Sequence, residues 1–322
     1  MSTLNNKKQT ELPILGQFAR LLGTEVKNRR LEIPKKFGQG YCAGYAFNKH
    51  IRMLIFNYEL KEDLVIENPD IDTSISMILF KFQNVFPKTE KALTNKQPKA
   101  VPSVLIATSS VNTDKTIPIH TNTEVINIEV DATYLNELFD TSMRSPVLQS
   151  LLQDRQPLLF EQMMYPSLQK IVDEVMTETV DAIFELPFLR IKAEELICRL
   201  LMELERRDQA HLYALNRQDI QALYKIKEQM LARLDSPPVI KDLAVSANMS
   251  STKLRRLFKQ VFGNSIFSYY QEFRMKEAAR LLREENLSVS DVGYQLGFIN
   301  LSHFSRVFNE HMGIKPKQYS RT

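Results

Sequence analysis

The last hundred or so residues carry one pattern written twice. The first copy runs Asp242-Leu243-Ala244, Asn248-Met249-Ser250, Leu254-Arg255-Arg256-Leu257-Phe258 and Gly263. The second runs Asp291-Val292-Gly293, Gly297-Phe298-Ile299, Phe304-Ser305-Arg306-Val307-Phe308 and Gly313. Asp242 and Asp291 stand 49 apart, whereas Arg256/Arg306, Phe258/Phe308, Gly263/Gly313 and Tyr269/Tyr319 all stand 50 apart. One unit therefore occurs twice, and the second copy has a turn one residue longer. Each copy reads as a short helix, a tight turn and a second helix. Leu254, Leu257, Phe258 and Val261 fall at i, i+3, i+4 and i+7, which is one buried helical face. The small Ala244 and Gly293 mark a close helix crossing, with Phe304 and Phe308 expected alongside Gly293. Gly in a helix costs about 1 kcal/mol relative to Ala, so its presence there needs such a reason.

The second helix of each unit is apolar behind and polar or basic in front. The outward residues are Thr252, Lys253, Arg255, Arg256 and Lys259 in the first copy. In the second they are Asn300, Ser302, His303, Arg306 and Asn309. Such a face suits the DNA major groove, where Arg bonds guanine bidentately and Lys meets phosphate. On an isolated helix, Arg255, Arg256 and Arg306 would read as solvated charge. Inside a doubled helix-turn-helix the DNA reading prevails, with His303 open between a base edge and a phosphate. The intervening segment 265–283 carries Ile266, Tyr269, Tyr270, Phe273, Met275, Ala278, Ala279, Leu281 and Leu282. That is too much apolar surface for a loose linker. It predicts a rigid helix packed on both units, holding the two reading helices about one DNA turn, roughly 34 Å, apart.

These motifs, the long helix between them and the ending Gly313-Ile314-Lys315-Pro316-Lys317-Gln318-Tyr319 resemble the AraC/XylS family of bacterial transcription regulators. In that family the second unit carries Gly-Phe, here Gly297-Phe298, and later Gly-x-x-Pro-x-x-Tyr, here Gly313, Pro316 and Tyr319. The resemblance covers roughly 217–322. It implies a cupin-like β-barrel sensor at the N-terminus, helices that pair two subunits, a small-molecule effector and RNA polymerase as a partner. Activation is more frequent than repression in the family. A weaker similarity to siderophore-responsive members lies in Leu189–Leu196 and assigns no ligand.

Charge agrees with this division. From residue 217 onward, 17 Lys/Arg face 10 Asp/Glu, a net of +7, while the rest carries 25 against 28, a net of −3. A basic terminal domain on a mildly acidic body fits nucleic-acid binding by one part only. The two cysteines, Cys42 and Cys198, are far apart and lack metal or redox spacing, which is cytosolic usage. No apolar run approaches a membrane span, and the polar start Met1–Gln9 has no secretion-signal core. A cytoplasmic protein is expected.

The fold class expected is α+β and multidomain. A β-rich effector-sensing domain over 1–145 precedes a helical dimerisation and coupling region over 146–215 and the DNA-binding domain over 217–322. After a helical or docking segment near Leu12–Leu22, short strands are predicted around 53–56, 64–66, 76–82, 104–106 and 125–130, in an antiparallel sandwich or barrel. The polar stretch 87–102 reads as an exposed loop. Helices follow from Asp131 or Thr133 through Phe139, then short ones punctuated by Pro146, Pro157 and Pro166. Further helices cover 167–179 and run from Pro187 to about Asp208.

His50 and His120 are the only histidines before residue 211, too few for a metal cupin, so hydrogen-bonded or surface roles are expected. Cys42, with no basic neighbour in sequence, reads as a small buried residue rather than a reactive thiol. Tyr41, Tyr45, Phe47, Phe56, Tyr58, Phe80 and Phe82 are shared between core and a possible cavity. No catalytic residue, metal or cofactor is expected. The chain reads as a DNA-binding transcription regulator under small-molecule control. The alternatives are a regulator whose N-terminal domain only dimerises or binds a protein, and a repair or metal-cupin enzyme fused to the module. The repair enzyme would need a Pro-Cys-His-Arg nucleophile, which this sequence lacks.

Overall fold

The computed structural model of the chain describes residues 12–62, 64–67, 76–86, 102–111, 116–119, 122–138, 145–207 and 212–321. His120, Phe139, Asp208, the polar start 1–11 and the stretch 87–101 lie outside the described residues. The chain divides into two compact units, 1–215 and 216–322.

The first unit opens with α1 (Pro13–Leu22), followed by β1 (Arg30–Glu32), β2 (Gly38–Ala46), β3 (Ile51–Leu60), β4 (Leu64–Glu67), β5 (Met77–Gln83) and β6 (Ser103–Ala107). Then come β7 (Thr116–Ile119), β8 (Asn122–Asp131), α2 (Ala132–Leu138), α3 (Pro146–Gln153), β9 (Leu159–Met163), α4 (Pro166–Thr177) and α5 (Glu185–Glu205). Seven strands form one sheet in the order β1-β2-β3-β8-β5-β6-β9, antiparallel throughout, and β4 pairs separately with β7. Among the described residues no ladder joins β1 to β9.

Strand alternation explains the layers. Met53, Ile55, Phe80, Phe82, Ile106, Ile126, Ile128 and Phe160 point to one face, where Leu168 and Val172 of α4 and Leu196 and Leu200 of α5 meet them in a single core. Cys42, Leu54 and Tyr58 point to the other face, beneath Leu15, Phe18 and Leu22 of α1. Buried on both sides, β3 reads as a nearly continuous apolar run. Gly44 lets α1 sit down on β2, since a Cβ there would lie 2.5 Å from Leu15 Cδ1.

The expected strands at 53–56, 64–66, 76–82, 104–106 and 125–130 are present. The expectation of only short helices between Pro146 and Pro166 is corrected. Leu159–Met163 forms β9, paired with β6 through Ile106 and Phe160. A five-residue apolar run between two prolines gives no period by which to choose strand over helix; the free edge of β6 decides it. Helices α3, α4 and α5 share the sheet's core.

The second unit is all helical: α6 (Arg217–Leu231), α7 (Ile240–Ser246), α8 (Ser251–Phe262), α9 (Ile266–Glu284), α10 (Val289–Gln295), α11 (Leu301–Met312) and α12 (Pro316–Tyr319). No helix among the described residues is long and apolar enough to cross a membrane.

Because α5 and the sheet share one core, Leu200→Ala should cost about 2–5 kcal/mol. It should also weaken amide-exchange protection in β5 and β8. Protection lost in α5 alone would show that these helices form a separate cooperative unit.

Candidate nucleic-acid interface

The repeat survives down to ring packing. Phe258 meets Tyr269 and Phe308 meets Tyr319, both edge-on with centroids 5.5 Å apart, at 85° and 77°. Ser250 and Asn300 cap α8 and α11, accepting hydrogen bonds from the Lys253 and His303 amides. Gly263 and Gly313 end the same two helices, each at φ 78°. The first turn of α9 thus repeats as the separate short helix α12. The extra residue lies in the second turn. Three residues, 247–249, separate α7 from its neighbour's cap, and four, 296–299, separate α10 from Asn300.

The close crossing at Gly293 is present. A Cβ there would stand 2.6 Å from Leu301 Cδ2 and 3.3 Å from Phe304 Cδ1. Leu301, which spacing did not single out, stands nearest, with Phe304 beside it and Phe308 packed on Phe304 in the same core. Gly297 is confined more tightly still, at φ 75° with a Cβ position 1.8 Å from the Asp235 carbonyl oxygen. Asn248, its counterpart in the first unit, also has positive φ, 51°.

The linking helix α9 packs on α6, α8, α10, α11 and α12. Two buried side chains on one stripe do much of the joining. Tyr270 donates its hydroxyl to the Leu234 carbonyl at 2.8 Å. Four residues on, Arg274 donates Nε to the Leu296 carbonyl at 2.8 Å, with a second bond from its terminal nitrogen, and lays its guanidinium 3.8 Å from the Phe298 ring centre. Arg274 is 5% exposed. Burial pushes its pKa down, while Tyr270 and Asp235 favour the charged form. The apolar spacing of this helix did not reveal Arg274 as a joining residue. The available signal was a cation on the stripe of Tyr270 and Ala278.

The outward faces come out as follows. On α8, Thr252, Arg255, Arg256 and Lys259 are exposed. Lys253 is half-buried, and its Nζ lies 2.7 Å from Asp219 Oδ1 at the start of α6, so it ties two helices together. On α11, Ser302, His303, Arg306 and Asn309 are exposed. Asn300 spends its side chain on the cap. His303 rests edge-on against Phe298, with centroids 5.7 Å apart. Arg306 lies 4.0 Å from Glu310, a solvated contact worth little to stability.

In the first unit, His50 bonds Asp131 at 2.9 Å and stacks on Tyr134 at 4.8 Å between centroids. Among the described residues no group of three or more His, Cys, Asp or Glu could hold a metal ion. Cys42 is buried, which pushes its thiol pKa far up, as an inert core residue requires. Phe80 and Phe82 belong to the helix-side core and Tyr58 to the α1-side core, with Phe56 half-buried against the latter and Tyr41, Tyr45 and Phe47 at the margin of the former.

Three substitutions test this packing. Gly293→Ala should change stability by less than about 1 kcal/mol, because the tip of Leu301 must move and the Phe304 ring must yield slightly while helix propensity improves. Gly293→Leu should unseat α11. Gly297→Ala should cost about 1–3 kcal/mol or more, since a backbone carbonyl stands in the way. Thermal melts of the three variants check the order, and a parent-like melt for Gly293→Leu would contradict the crossing.

Residues 243–322 match a family model described as a helix-turn-helix domain. The chain is 32% identical over 107 residues to the HTH-type transcriptional regulator GbdR of Pseudomonas aeruginosa, covering 33% of this chain and 28% of that protein. It is 31% identical over 137 residues to the HTH-type transcriptional activator RhaR of Escherichia coli, covering 41% of this chain and 47% of that one. The match thus spans less than half the length of either relative. A transcriptional regulator with an AraC-type DNA-binding domain from Chromobacterium violaceum is similar over 33% of this chain and 95% of that one, at 30% identity and a TM-score of 0.31. The C-terminal unit of this chain is an AraC-type helix-turn-helix domain.

Proposed function

We propose that the chain is a cytoplasmic transcription regulator that binds double-stranded DNA through α8 and α11 and is controlled by a small molecule bound in its N-terminal unit. The observation that carries the DNA reading is the pairing of two capped helices, each with an exposed polar face, on one helix that grips both. A helix of 19 residues is about 28 Å long, which suits reading heads set one DNA turn apart. Thr252, Arg255, Arg256 and Lys259 would read one block, and Ser302, His303 and Arg306 another. Lys253 and Asn300 would act mainly by placing their helices.

Effector control finds support on the sheet face shared with Leu54. There Asn127 and Lys81 stand opposite each other across β8 and β5. Asn127 Oδ1 is buried without a hydrogen-bond partner among the described residues, and burial lowers the Lys81 pKa. Buried polar groups are costly unless something satisfies them, and a polar ligand in a cupin-like sensor would do so. For pairing of two subunits the support is α5. Phe184, Ile191, Cys198 and Met202 are exposed at intervals of seven, seven and four residues, the spacing of a coiled-coil seam. RNA polymerase and an activating role come from the resemblance to the family.

The test is selection of bound duplexes from a random pool by the full chain. The selected site should contain two unlike blocks, with affinity falling by orders of magnitude across moderate salt as counterions are released. Arg256→Ala should cost about 1–3 kcal/mol and relax preference in one block. Equal weakening on every sequence would make Arg256 a phosphate contact. Ile191→Asp should convert a dimer to a monomer in sedimentation, and an unchanged mass would remove α5 as the seam. If no small molecule in cell extract raises the melting temperature of the N-terminal unit, the rival reading, in which that unit only dimerises or binds a protein, gains the ground.

A further inference from the structure

We propose that Ile299 is a specificity residue that reads thymine, its side chain packing on the C5-methyl group of one thymine in the major groove. The proposal rests on α11 being a DNA-reading helix. Its starting point is the unequal turns of the two units. Aligning the left-handed residues Asn248 and Gly297, and the caps Ser250 and Asn300, pairs Met249 with Phe298 and leaves Ile299 as the residue with no counterpart.

The extra residue is an isoleucine that is 97% exposed. A single exposed apolar side chain is ordinary on a flexible surface. This one is held. Its neighbour Phe298 is buried, lies under the Arg274 guanidinium and packs on Phe304 with centroids 5.2 Å apart. The Phe298 amide donates to the Gly293 carbonyl at 2.9 Å. On the other side, Asn300 accepts from the His303 amide at 3.0 Å. With both flanks fixed, the Ile299 side chain projects from a set position at the entrance to α11 and contributes almost nothing to the fold.

That position is where a recognition helix brings its first residues to base edges. An isoleucine there can neither bond a phosphate nor pair with a polar base edge. The one apolar group that a base pair offers in the major groove is the thymine methyl. The first unit has no equivalent residue, so this reading device belongs to the second block alone.

The experiment uses the full chain and its selected duplex. The block read by α11 is identified as the one whose preference relaxes in Arg306→Ala. Each thymine of that block is then replaced singly by deoxyuridine, which removes only the methyl group. The parent should lose about fourfold in affinity at one position, the worth of one buried methyl. Ile299→Ala should bind the two duplexes equally, and Ile299→Val should keep part of the discrimination, all three proteins melting alike. A block with no sensitive thymine, or an equal loss in Ile299→Ala, overturns the proposal while leaving DNA reading by α11 intact. Failure of the chain to select any duplex overturns the DNA reading itself, and this inference with it.

Discussion

The C-terminal unit depends on one buried cation. Arg274 projects from the middle of α9 into the turn of the second helix-turn-helix, holds the carbonyl that ends α10 and covers the ring of Phe298. A guanidinium removed from water is costly unless its donors are satisfied, and here a helix terminus with unpaired carbonyls supplies the acceptor. One side chain thereby fixes the end of α10, the turn and the start of α11 relative to α9. Tyr270, one turn earlier, fixes the segment after α6 to the same helix. That segment supplies the Asp235 carbonyl against which Gly297 is fitted. The linking helix is thus a frame with polar pins, and its apolar stripe alone would allow the two units to slide.

The two copies of the repeat solve the same packing problem with different parts. Each closes its second helix with a left-handed glycine and an edge-on aromatic pair 50 residues from its twin. They differ in how the first helix begins. Ser288 accepts from the Asp291 amide and donates to its carboxylate, whereas α7 starts at Val239 without a side-chain cap. Asp242 is left to act on the helix dipole alone. The second unit is pinned by Arg274, and the first is pinned at α8 by Lys253 to Asp219.

Much of this was legible in the sequence because a repeat reports its own register. The boundaries of the two helix pairs, the longer second turn and the close crossing at Gly293 all follow from spacing. What spacing cannot show is which polar side chains turn inward. Lys253 and Asn300 carry the residue types of a DNA contact, yet one completes an ion pair and the other caps its helix. Arg274 looks like surface charge until its partners are seen. In the first unit the apolar runs revealed most strands, but β9 has a composition that a strand and a helix share, and only a vacant sheet edge distinguishes them. Which partner the exposed faces of α8 and α11 would meet, and which ligand the first unit would take, are by contrast matters of partner chemistry that the fold only frames.

In this arrangement α9 holds α8 and α11 at one fixed separation. The direct measurement is affinity for the selected duplex after inserting five base pairs between its two blocks, half a helical turn. A rigid frame predicts that binding falls to the level of a single block, and that inserting a full turn does not restore it, since the frame cannot stretch. Undiminished affinity on the five-base-pair insertion would show that the two units move independently, and would contradict the account.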